Sequence, residues 1–151
     1  MGQRYVILRD NFTPVAGQDA LTIISAAARR VRLVDLNVGG AGTSSAAQRL
    51  LVGRSTGGTT PGGAITPSKA EQTEQPAAIS TTATTWAAQP TLETNAHVLT
   101  FNAMGGPNRL PGQQGRPQGL SEARNGENIS IRAPAGPTYQ ACSISATIEE
   151  D

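Results

Sequence analysis

The sequence predicts an all-β protein: an antiparallel two-sheet sandwich and, within that class, an eight-stranded jelly roll with long loops. Three observations predict it. Apolar and polar residues alternate with period two in several short runs. No stretch carries a helical period through three turns. Connections dense in glycine, proline and threonine separate the runs. A helical or α/β fold would need a 3.6-residue period, and only Ala20 to Arg30 has a composition that would supply one.

The first strand is Tyr5 to Leu8, inside an extended N-terminal segment of about residues 1–18 that opens a single domain spanning 1–151. Asp19 to Arg30 (DALTIISAAARR) is ambiguous, because its alanines suit a helix whereas Thr22, Ile23 and Ile24 suit a strand; the β-branched residues favour a strand from Ala20 to Ser25. From Arg29 to Gly39 the alternation runs as Val31/Leu33 and then as Val34/Leu36/Val38. That change of phase predicts a bulge in one long strand, ended by Gly39, Gly40 and Gly42. Gln48 to Ser55 is the next strand, followed by Ala77 to Thr81 and Val98 to Asn102. Asn128 to Arg132 alternates again, the turn-forming run Ala133 to Pro137 follows, and the chain closes on its clearest signal. There Cys142, Ile144, Ala146 and Ile148 oppose Ser143, Ser145, Thr147 and Glu149.

Long connections remain. More than forty residues lie between Val52 and Val98, and a second excursion runs from Gly105 to Gly119. A small sandwich cannot bury such loops, so they are expected to be mobile or to lie on a neighbouring chain. Hydrophobic residues make up 37% of the chain and aromatics 3%, which implies a thin core that assembly would help to stabilise.

Composition also narrows the function. The glycine-rich stretch GRSTGGTTPGGAITP (Gly53 to Pro67) lacks the lysine, hydroxyl and helix start of a phosphate-binding loop. A net charge of +1 is far from the basic footprint of a nucleic-acid binder, so no nucleic-acid partner is expected. The single cysteine, Cys142, allows no intrachain disulfide and no multi-cysteine metal site. The chain shows no secretory signal and no run of about twenty apolar residues, so it reads as a soluble product of the cytoplasm with no membrane partner. Lys69 is the only lysine. Arginine's planar fork suits bidentate carboxylate contacts across protein interfaces, and Arg4, Arg9, Arg29, Arg30 and Arg32 are the candidates for such contacts.

Candidate chemistry is sparse. His97 stands alone, and Cys142 lies in the apolar phase of its strand, as a small buried thiol does. Paired carboxylates among Glu93, Glu122 and Glu127 would suit glycoside hydrolysis, but sugar clefts also present aromatic platforms, and here aromatics are few. Trp86 suits an interface anchor, a sugar platform or a plug for the core. The tail Glu149-Glu150-Asp151 is either a solvated end or a contact for an arginine of a neighbouring subunit. No catalytic residue, small-molecule substrate, cofactor or metal is expected.

The succession LVGRSTGG, TTWAAQPT, a glycine- and proline-rich stretch with RLPG and PQGL, NISIRAP and a closing SISATIEED resembles small virion proteins of tailed bacteriophages. The resemblance covers roughly Arg29 to Asp151. It implies a jelly-roll capsid decoration, or cement, protein that is not an enzyme. Made in the host cytoplasm, it would assemble as a homo-oligomer, a trimer at three-fold positions, on the outer surface of the head. Its partner would be the major capsid protein, whose capsomers it bridges. A receptor- or glycan-binding module of a tail fibre or baseplate stays open as the alternative; it requires Trp86 and Tyr139 to line an exposed groove.

Overall fold

A computed structural model describes residues 2–70, 75–111 and 120–151, and every regular element among them is a β-strand. In chain order these are β1 (Gln3–Phe12), β2 (Asp19–Ile24), β3 (Arg30–Gly40), β4 (Ala47–Thr56), β5 (Thr59–Gly62), β6 (Ser68–Lys69), β7 (Thr81–Ala83), β8 (Thr85–Ala88), β9 (Thr91–Leu92), β10 (His97–Asn102), β11 (Asn108–Pro111), β12 (Ser121–Arg124), β13 (Asn128–Arg132) and β14 (Cys142–Glu150).

Two six-stranded sheets carry the fold. Sheet A has the order β11-β3-β14-β1-β6 with β12 also on β3, and sheet B has the order β10-β4-β13-β2-β7 with β9 also on β4. The pairing is nested: β1 with β14, β2 with β13, β3 with β11 and β12, and β4 with β10, all antiparallel. A chain that pairs first with last, second with next to last and so on inward is a long hairpin rolled over on itself. This is the jelly roll, and its eight principal strands appear once β11 and β12 are taken as one interrupted strand beside β3.

Alternation explains which residues fill the space between the sheets. Tyr5 and Ile7, Leu21 and Ile23, Leu50 and Val52, Leu99 and Phe101, Ile129 and Ile131, and the row Cys142, Ile144, Ala146 and Ile148 form one continuous buried cluster. In β3 the inward residues are Val31 and Leu33, then Leu36 and Val38. The pairing to β14 steps from Leu33↔Ile148 to Asp35↔Thr147. Val34 is therefore the extra residue of the predicted bulge and does not belong to the second inward set, because the insertion resets the alternation after it.

Three expectations need correction. The strand expected at Ala77 to Thr81 is absent; regular structure begins only at Thr81. The strand that completes the eight is β11 with β12, whose short polar runs offer no alternation to read, and the Gly105 to Gly119 stretch lies partly outside the described residues. The described parts of the long Val52 to Val98 connection lie on the chain's own body. They lay β6 along β1 at Tyr5 and Val6, β7 along β2, and β9 along β4, and they pair β5 with β8 as a two-stranded flap. The physical reason is that sheet edges expose unpaired amides and carbonyls, and a long connection of the same chain is the nearest group able to pair with them. β1 runs ten residues, longer than the expected Tyr5 to Leu8, with β14 beside it from Gln3 to Arg9.

Candidate interaction surfaces

On the outer face of sheet A, cross-strand pairing aligns charges in a row. Glu122 on β12 lies opposite Arg32 on β3, Arg32 opposite Glu149 on β14, and Glu149 opposite Arg4 on β1. Signs alternate across four neighbouring strands, and the side chains meet: Arg32 reaches Glu122 and Glu149 at 3.4 Å each, and Arg4 reaches Glu149 at 3.3 Å. Asp151 joins beyond the end of β14, accepting from Arg30 at 2.7 Å and lying 3.0 Å from Arg32. Below the row, Arg109 on β11 forks onto Asp35 through Nε at 3.0 Å, and this bond with the carboxylate's charge raises the guanidinium's pKa. Isolated exposed pairs contribute about 0–1 kcal/mol; shared charges that are partly shielded from water act as a network and do better.

Of the arginines singled out as candidate carboxylate contacts, several have carboxylate partners within the chain. Arg4, Arg30 and Arg32 find them in this chain, and so does the acidic tail, which receives its arginines from β1 and β3. The reason is register: the jelly roll sets β14 between β1 and β3, which brings residues more than a hundred positions apart side by side. Among the described residues Arg9 meets no carboxylate. It points into the gap between the sheets, its guanidinium donates to the Ala20 carbonyl and lies 3.9 Å over the Phe12 ring, and burial lowers its pKa. Arg29 is exposed and has no ion pair among the described residues.

The opposite surface, the outer face of sheet B, hides a polar node under the flap. Trp86 on β8 donates its indole N–H to Thr22 Oγ1 at 2.9 Å, and Thr22 donates to Asp19 Oδ2 at 2.8 Å. Ser130 also donates to Asp19 Oδ2, at 2.5 Å. A hydroxyl has one proton, so the 2.6 Å contact between Ser55 and Ser130 must be donated by Ser55. Arg132 closes the set with Nε 2.6 Å from Asp19 Oδ1, while its Nη2 donates to the Pro90 carbonyl. Asp19 is thus a buried carboxylate at which two hydroxyl donors and a guanidinium converge. Trp86 is half-buried against this node and is neither a core plug nor an open platform.

Tyr139 does not join Trp86 in an exposed groove. It is buried, its hydroxyl lies within hydrogen-bonding reach of the Arg49 and Pro134 carbonyls, and burial raises its pKa. The carboxylates considered for sugar chemistry are held by arginines. A cleft of about 420 Å³ is lined by Arg54, Glu122, Arg124, Asn125 and Glu127. Arg124 lies 2.6 Å from Glu122, and Arg54 lies 3.7 Å from Glu127 and 3.5 Å from Glu93. His97 is exposed on β10, whereas Cys142 is buried, its thiol pushed up to about 11 by that burial. Sequence reasoning missed Asp19 and Arg132, which mark nothing until the fold pairs β2 with β13.

No family model matches the chain, and no curated protein matches it. Among solved structures, a chain in the cryo-electron microscopy structure of Mud Crab Dicistrovirus aligns over 99% of this chain at 16% identity with a TM-score of 0.22. This chain spans 66% of that chain's length. A likeness so slight decides neither fold nor role, and the architecture rests on the strand order given above.

Proposed function

We propose that this is a structural virion protein: a decoration, or cement, protein that sits as a trimer on the outer surface of a tailed-phage head and stabilises the shell by bridging capsomers of the major capsid protein. The observation that carries the reading is the nested jelly-roll winding, with the long connection pinned down along the edges of both sheets. Such a body offers broad sheet faces to a partner, and the succession of sequence motifs resembling small phage virion proteins agrees with it. Repetition makes modest contacts sufficient, because several sites on one oligomer multiply affinity without new contact chemistry. The self-neutralised outer face of sheet A suits a solvent-facing surface, since its charges are already matched.

Co-sedimentation of the purified protein with empty shells of the particle tests this. Saturable binding to expanded shells, with weaker binding to unexpanded ones, is the expected result. Failure to bind either form would remove the reading.

A further inference from the structure

Strand addition at a sheet edge needs outward-facing N–H and C=O groups on a straight strand free of charge. Three of the four sheet edges are guarded by the chain itself. At one end of sheet A, β6 covers β1 at Tyr5 and Val6, and β1 is irregular between Arg9 and Phe12, where Arg9 points inward. At its other end β11 carries Arg109 and stops on Pro111, which has no N–H to offer. At one end of sheet B, β7 lies along β2. β10 at the other end has no strand laid along its outer side among the described residues: its six residues, HVLTFN, pair with β4 without a register shift and include no Lys, Arg, Asp or Glu, and the chain itself caps only part of its outward groups.

Register fixes which of its groups face outward. Ala103 N–H donates to the Ala46 carbonyl at 2.9 Å, in step with the pairing from His97↔Val52 to Asn102↔Ala47. In an antiparallel ladder every second residue bonds to the neighbour, so Val98, Thr100 and Asn102 turn their groups away from β4. The Asn102 carbonyl is taken by Gly105 N–H and the Thr100 carbonyl by the Asn108 side chain. Val98 keeps both its N–H and its C=O without a partner among the described residues, and its side chain is 57% exposed.

We propose that Val98 is the two-fold point of a strand pairing between two copies of this chain. β10 of one copy adds antiparallel to β10 of the other, and each Val98 exchanges both main-chain hydrogen bonds with its image. A second copy fits because a hydrogen-bonded antiparallel pair needs one donor and one acceptor from each side, which Val98 offers to itself under two-fold symmetry. The strand's lack of charge removes self-repulsion, and the two Val98 side chains fall on one face of the new ladder and cover each other. The contact joins two B sheets into one. It goes beyond the proposed role, since it concerns contact between copies whatever surface they decorate.

Disulfide trapping in the full chain tests the pairing. Two-fold pairing at Val98 places its Cα atoms about 5.5 Å apart, within disulfide range, whereas the Thr100 Cα atoms stand roughly 14 Å apart. Under mild oxidation, Val98→Cys is expected to form a covalent dimer about tenfold faster than Thr100→Cys, a contrast that follows from this geometry. Wild type, whose Cys142 is buried, supplies the background. Light scattering is expected to show a concentration-dependent dimer of wild type that Val98→Pro abolishes, since the N–H it lacks faces away from β4. Equal crosslinking rates, faster trapping through Thr100→Cys, or trapping that requires added shells would each overturn the proposal, the last by giving the edge to the shell.

Discussion

Asp19 and Cys142 show how single residues acquire their roles from the fold. In the sequence Asp19 is a polar residue at the start of a strand; in the structure it is the acceptor for Thr22, Ser130 and Arg132, and it is buried. Nothing local signals this, because Ser130 and Arg132 lie more than a hundred positions away. Cys142 was legible, since its place in an apolar alternation predicts burial. That burial has a consequence at high pH. The thiol's folded pKa, about 11, stands above its ordinary value of 9.0, so the folded state favours the protonated form. Below the ordinary value both states are protonated and the contribution is complete. As pH rises from about 9 toward 11, the unfolded chain releases its proton first and stability falls. Urea midpoints for wild type and Cys142→Ala are therefore expected to converge as pH rises through that window; a constant difference would contradict the assignment. Comparing the two proteins also cancels the part due to Tyr139, which shifts in the same direction.

Among the elements, the strands with clean alternation were legible and the strap from β5 to β9 was not. Its short pieces hold no period because they pair with strands of the two sheets rather than with one another, apart from β5 with β8. Glycine marks the turn into the flap for a physical reason. Gly58 has a φ of +90°, and an added Cβ would sit 2.8 Å from the Trp86 ring, so no larger side chain fits without moving the indole. Further along, Glu150 holds the strap where the expected strand is missing: its carboxylate accepts Ile79 N–H at 3.0 Å and Ser80 N–H at 2.8 Å. Charge-assisted bonds of this kind contribute about 1.5–3 kcal/mol each. In Glu150→Gln, one amide loses its acceptor and the other keeps only a neutral one. Hydrogen exchange is expected to quicken at Ile79 and Ser80 by at least about tenfold, while amides of β13 and β14 keep their protection. Uniform exchange changes across both sheets would mean that the strap is not a separable unit.

For the whole molecule, the sandwich was legible because two-residue periodicity and the lack of a helical period are properties of many residues at once. Placement of charge was not legible, because it depends on which strands the roll sets side by side. Arginines singled out as candidate carboxylate contacts lace β1, β3, β12 and β14 together within the chain. The described parts of the Val52 to Val98 connection, expected to need a neighbour, pair with strands of their own chain. Stability of the folded unit and adhesion to a shell are therefore separate properties, and the proposed role rests on surfaces rather than on loops that fold only in an assembly.

The copy number and position of the chain in purified particles, from density together with quantitative mass spectrometry, test that role most directly. The account predicts hundreds of copies per particle, as density on the outer surface of the head at three-fold positions between capsomers. A few copies confined to the tail, or none in the particle, would contradict it.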